Sequence, residues 1–302
     1  MANARGKAID NTDLSIEQAE ARGFIHRDYI AHCLRWTHVA KYLHLQRRFE
    51  VADVIDIGCG KDMPLARMLM TSRIAPRSYL GIEYNKFEMP EMFAKTKFKP
   101  NIATGIDFTD MKEIPYEQNL PGGLSKFNYS TCFEVLEHVE PAKCIAILDH
   151  LPNFLRPCSI SWFSTPCYDE KVGAAKNHVN EMTYECFGSL LEEMGYKILN
   201  HWGTFASIKD YKDHLTTPQE EMFKELRAYY DSNYLATIFA PLFPQHSRNC
   251  LWETEYVGKL TLEERKFPNI KSLEGVLGSS EYWREITKCV ECVAESQRSM
   301  NE

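Results

Sequence analysis

The 302-residue chain carries 35 Lys and Arg against 42 Asp and Glu, with 44% hydrophobic and 25% charged residues. This is the composition of an ordinary globular protein, long enough to bury a core without disulfide or metal staples. Its formal charge of −7 weighs against a generic polyanion binder. The opening MANARGKAIDNTDLS has no apolar run. The longest apolar stretch, LATIFAPLF at 235–243, is short and broken by proline. Neither a signal peptide nor a membrane span is expected, and the ten scattered cysteines fit reduced thiols in a cytoplasmic protein. The close pair Cys289 and Cys292 sits in a helical pattern with no second pair, so half-buried thiols are expected there before a metal or redox site.

In chain order, residues 1–50 read as a helical extension or lid. Tyr29, Cys33, Trp36, Val39, Ala40 and Leu43 recur at helical spacing, with Arg27, His38 and Lys41 opposite. Short apolar runs then alternate with helical ones. VADVIDIG (51–58), SYLGIEY (78–84), NIATGIDF (101–108), FNYSTCF (127–133) and CSISWFST (158–165) read as strands. PLARMLMTS (64–72) and PAKCIAILDHLPNFL (141–155) read as helices. That alternation predicts βαβ units and a parallel sheet covered on both faces. Thr183 is placed to cap the helix YECFGSLLEEMG and Gly195 to stop it. YKILNHWGTF (196–205) and NCLWETEYVG (249–258) complete about seven strands. Between them, 207–247 reads as an insertion whose residues 217–239 form a helical block. The domain therefore spans 51–258, and 259–302 reads as a helical tail.

The stretch VIDIGCGKDM (54–63) ends a strand in Gly-Cys-Gly and opens a helix, which brings backbone N–H groups close to a ligand. Alone it is a weak signal. Met63 occupies the third glycine position of a dinucleotide fingerprint, and no Gly-Lys-Ser/Thr follows for a phosphate loop. Asp56 lies before the glycines, and Glu83 ends the second strand, where an acid can accept both ribose hydroxyls. A ribose-binding acid without a pyrophosphate loop suits a nucleoside whose other end is an amino acid.

In this order the segments resemble the class I S-adenosylmethionine-dependent methyltransferases, type 11/23-like. DIGCG (56–60) looks like the first motif, and GIEYN (81–85) like the second. DMKEIPY (110–116) is similar to the exit of the third strand, and FNYSTCFEVLEHVEP (127–141) to the fourth motif. The resemblance implies a doubly wound Rossmann-like α/β sheet with its last strand antiparallel. It also implies S-adenosyl-L-methionine bound by Asp56, Gly58, Cys59, Gly60, Glu83, Tyr84, Asp110, Met111 and Phe133. Asp62, where many relatives carry a small residue, and Asn128, where an aspartate is common, depart from the pattern.

Methyl transfer from a sulfonium is an in-line displacement that depends chiefly on alignment and exclusion of water. A base is needed only for an acceptor that holds its proton tightly. Glu134, His138 and His178 are the catalytic candidates. Glu134, Glu137 and His138 have i, i+3, i+4 spacing, so a helical turn would present them together. With His178 they could hold a divalent ion such as Mg or Mn. The Glu-x-x-Glu-His stretch with a later histidine also resembles the small-RNA 3′-terminal 2′-O-methyltransferases. A similar turn without metal caps a helix or shapes the pocket in many methyltransferases of this class. Arg248 is expected to pair with an acid such as Glu253 or with an anionic acceptor. Of the aromatics in the last strands and the insertion, Trp202 among them, most are expected in the core, and a few in the insertion, from Tyr229, Tyr230 and Tyr234, could wall a planar or apolar acceptor. The expected activity is methyl transfer to a small-molecule or nucleoside-like acceptor. A metal-assisted RNA ribose 2′-O-methyltransferase is the alternative, disfavoured by the acidic chain. A nucleoside-binding or scaffold protein without turnover is the third reading.

Overall fold

The computed structural model describes residues 27–45, 51–71, 75–110, 126–206, 208–230 and 232–285. Met111, Cys289 and Cys292 lie outside them. The strands are β1 (Asp53–Ile57), β2 (Ser78–Glu83), β3 (Asn101–Thr104), β4 (Phe127–Phe133), β5 (Leu155–Pro166), β6 (Tyr196–Phe205) and β7 (Asn249–Tyr256). They form one sheet in the order β3-β2-β1-β4-β5-β7-β6. The first five run parallel. β7 lies antiparallel between β5 and β6. The expected doubly wound, Rossmann-like α/β architecture is therefore present, with the chain's last strand reversed.

Alternation along each strand divides the interior into two layers. Ile55, Ile57, Leu80 and Ile82 face one core cluster, covered by α3 (Pro141–His150) and α4 (Tyr184–Glu193). Val54, Tyr79, Tyr129 and Trp162 face the other, covered by α1 (Arg27–Leu45) and α2 (Pro64–Thr71). Thr183 caps α4 as its sequence position implied, accepting the Cys186 backbone N–H at 3.2 Å. Gly195 follows the helix at φ +89°, a left-handed conformation that costs glycine little.

Helix α1 packs Trp36, Val39, Ala40 and Leu43 of the expected apolar face against the core, with departures at Cys33 and Arg35. Its buried residues are Ala31, Arg35, Val39 and Leu43, whereas Cys33 is exposed. A pattern based on apolar residues excludes an arginine from the inner face, yet Arg35 is 1% exposed. It points inward because polar partners wait at the sheet edge.

The 217–239 stretch is two helices, α6 (Thr217–Leu226) and α7 (Ser232–Phe239), preceded by the short α5 (Ile208–Tyr211). Thr216 and Gln219 form a reciprocal cap at the start of α6. These helices build a small core of their own around Tyr211, Phe223, Leu235 and Phe239. After β7, 3-10 turns at Leu262–Glu264 and Ile270–Ser272 lead to a helical stretch at 282–285; residues 286–302 of the expected helical tail lie outside the described residues. Trp283 is fully buried in the main core, and its indole N–H donates to Asn180 at 2.7 Å. No helix among the described residues is long and apolar enough to cross a membrane.

Candidate active site

The parallel strands deliver their carboxyl ends to one edge, and the glycine turn after β1 lies there. Gly58 (φ +70°) and Gly60 (φ +68°) are left-handed. A Cβ on Gly58 would sit 2.2 Å from Val135 Cγ2, while one on Gly60 would meet nothing within 4 Å. Gly58 is thus packed against the turn after β4, and Gly60 presents bare backbone to open space. Met63, at the third glycine position, also adopts positive φ (47°) with its side chain fully buried. The loop keeps a glycine-like path, and burial of the thioether offsets a conformational cost of about 1–2 kcal/mol. Asp62 is exposed and pairs with Arg67 at 3.3 Å. Asn128 ties the starts of β4 and β1 together, accepting from the Asp53 N–H and donating to the Val51 carbonyl.

Glu83 braces this loop. One carboxylate oxygen accepts the Gly60 N–H at 3.1 Å, and the other accepts the Asn85 N–H at 3.1 Å. Asn85 Nδ2 donates to that second oxygen as well, at 3.3 Å; a carboxylate has about four acceptor sites, so the oxygen that accepts Gly60 retains capacity for a ribose hydroxyl. Asp56 is differently placed from the expected ligand. It lies buried beneath the loop, accepting from Tyr79 Oη at 2.5 Å and Thr131 Oγ1 at 2.6 Å. Burial pushes its carboxyl up to about 6, against the two hydrogen bonds that favour the anion. Cys59 is buried beside it. Tyr84 and Asp110 are exposed on the same rim, and Phe133 is half-buried where β4 ends.

The turn after β4 is not the single helical turn its spacing suggested. Glu134 has φ +54°, and the 3-10 turn begins only at Leu136. Glu134 therefore stands outside the group of ligand atoms formed by Glu137, His138 and His178. Asn249 Nδ2 donates to both of its oxygens at 3.0 and 2.9 Å, and Ser164 Oγ to one at 2.9 Å. Arg35 Nη1 lies 3.0 Å away. Thr204 Oγ1 in turn donates to Asn249 Oδ1 at 2.7 Å. Arg35, Thr204 and Asn249 carried no motif. Only Arg35's position on an otherwise apolar helical face could have drawn notice.

Three of the four candidate metal ligands do converge. Ligand atoms of Glu137, His138 and His178 all lie within 4.8 Å of one another. His138 Nδ1 is 3.0 Å from the Asn177 carbonyl, and His178 Nδ1 is 2.5 Å from Glu181 Oε1. Such bonds fix the tautomer and direct Nε2 outward, as around metal-binding imidazoles. Glu137 is 1% exposed, and neither of its oxygens has a hydrogen-bond partner. Burial, reinforced by Glu134, raises its carboxyl well above the usual range. An orphaned buried carboxylate beside two oriented imidazoles fits a divalent ion by donor chemistry; Glu134 stands outside that set. Arg248 does not pair with Glu253. It makes a bidentate bond to Asp210, both contacts 2.9 Å. Glu253 instead accepts from His38, Trp162 and Asn200.

A Rossmann-like sheet with a glycine turn, an acid ending β2 and a polar β4 edge defines a nucleoside-binding enzyme fold of the methyltransferase kind. The sequence profile of the family described as "Methyltransferase domain" matches residues 35–226, and the chain belongs to that family. No curated protein sequence matches it. Among solved structures it is similar to the 1,6-didemethyltoxoflavin-N1-methyltransferase of Burkholderia thailandensis. That pair shares 13% identity over 80% of this chain and 85% of the other, with a TM-score of 0.47. The magnesium protoporphyrin IX methyltransferase of Synechocystis PCC 6803 shares 12% over 81% and 89%, at 0.45. The small RNA methyltransferase HEN1 shares 14% over 76% of this chain and 26% of the other, at 0.47.

Proposed function

We propose that the chain transfers a methyl group from S-adenosyl-L-methionine to a small-molecule or nucleoside-like acceptor at the carboxyl edge of β4. The observation that carries this reading is Glu83, held by the glycine loop's own N–H with acceptor capacity left on that oxygen for a ribose hydroxyl. When bound, the cofactor supplies an electrophilic methyl group. Glu83 holds the ribose, the Gly58–Gly60 backbone faces the methionyl part, and Tyr84 and Asp110 border the adenine side. Phe133 at the β4 edge excludes water from the reacting line. Asp56 keeps its place beneath the loop and braces β1 against β2 and β4.

The Glu137, His138 and His178 cluster favours a second reading, metal-assisted methylation of a ribose hydroxyl. A divalent ion there would supply Lewis acidity to the acceptor oxygen. In the first reading His138 and His178 are the groups able to take up a proton at the acceptor side; in the second their imidazoles would hold the ion instead. Incubation with methyl-labelled cofactor and a fractionated cell extract separates the two. The first reading expects label in the small-molecule fraction, unchanged by a chelator. Label confined to RNA and lost with the chelator would replace it with the second.

A further inference from the structure

A cavity of about 410 Å³ opens between α1 and β6, away from the glycine loop. Its size lies within the usual range for small-ligand pockets, about 300–1,000 Å³. Leu34, Lys41, Trp202, Pro241 and Leu251 line it, together with Thr204. Its chemistry is uneven. Leucine, proline and indole surfaces make an apolar slot, and the His38 ring stands 4.5 Å from the Trp202 ring. Lys41 is exposed and pairs with no carboxylate among the described residues. The nearest acid to His38, Glu253, is 4% exposed and already accepts from three donors. Among the described residues, no carboxylate lines the cavity to compete for an incoming anion.

The cavity also adjoins the residues that hold Glu134. Leu34 precedes Arg35, the residue ion-paired to Glu134. Thr204 bonds Asn249, which bonds both Glu134 oxygens. Arg35 and Asn249 are buried, and both contact Glu134. We propose that this cavity is a second ligand site, distinct from the cofactor cleft, that takes a small planar carboxylate. Lys41 is its anion partner and Trp202 its wall. A ligand wedged there bears on the helix and the strand that position Glu134, so occupancy is transmitted to the β4 edge through Arg35 and through Thr204–Asn249.

The test is calorimetric titration of the full chain with 2-naphthoate, alone and after saturation with S-adenosylhomocysteine. The expected result is saturable one-to-one binding that persists when the cofactor cleft is filled. Lys41→Glu reverses an exposed, unpartnered charge without disturbing the core, and weakens binding about tenfold by turning attraction into repulsion. Leu34→Glu, at another exposed position, weakens it as well. Three results would overturn the proposal: no saturation up to about 10 mM, a Kd typical of no more than a non-specific contact; equal binding by wild type and both variants; or mutual exclusion with S-adenosylhomocysteine. Because naphthoate is titrated with and without the nucleoside, failure here leaves the cofactor reading intact.

Discussion

At the residue scale, two glycines in one turn do different work, and substitution separates them. Alanine at Gly58 meets both a left-handed backbone and Val135 at 2.2 Å. Gly58→Ala is expected to cost about 3 kcal/mol, from strain and overpacking together. Gly60→Ala meets only the backbone cost, about 1 kcal/mol, and projects a methyl into open space. Urea unfolding measures the difference, and equal losses would refute the distinction. Asp56 gives a pH signature. Its folded value of about 6 lies above the ordinary 3.8, so the native state binds the extra proton between those values. Its stabilising contribution is full below pH 3.8 and is lost as pH rises through 6, at most about 3 kcal/mol by linkage. Asp56→Asn is expected to flatten the fall of stability between pH 4 and 6.5. The acids and glycines of this site were legible because they lie in short contiguous motifs. The turning of Asp56 under the loop was not, because Tyr79 and Thr131 reach it from neighbouring strands.

At the element scale, the helix before the sheet belongs to the active edge. Arg35 buries a guanidinium against Glu134, and its removal leaves a carboxylate held by Asn249 and Ser164 alone. Breaking a buried pair costs about 3–5 kcal/mol, and the partial exposure of Glu134 lowers that here. Arg35→Met is expected to destabilise by about 2–3 kcal/mol in denaturant. A loss no larger than that of an exposed control, Arg67→Met, would contradict the clamp. Strand boundaries were readable to within a few residues because apolar runs ended at glycine or polar turns. Most of the α1 face was readable, but Arg35 inside it was not, because hydrophobic periodicity cannot know that an arginine has partners across the sheet. The break between α6 and α7 was missed although Tyr, Asp, Ser and Asn are weak helix formers, the last three favouring caps and turns, because apolar residues resume directly beyond them at Leu235 and Ala236.

At the scale of the whole molecule, seven strands were countable from the sequence, but their spatial order was not. The insertion of β7 between β5 and β6 brings Asn249 and Thr204 to Glu134. No spacing rule links positions 35, 134, 204 and 249. The same folding separates Glu134 from the Glu137, His138 and His178 cluster. Titration with Co²⁺, followed by its visible absorption, is expected to report one imidazole-containing site. His138→Ala or His178→Ala should abolish the spectrum, whereas Glu134→Gln should leave it. Loss of the spectrum in Glu134→Gln would restore the four-residue site. The central claim rests on Glu83 and the glycine loop. Calorimetry with S-adenosylhomocysteine tests it most directly. One saturable site is predicted, weakened at least about tenfold in Glu83→Ala, as expected for losing a charged hydrogen-bond acceptor; absence of saturable binding to the wild-type chain, or equal affinity in the variant, would contradict it.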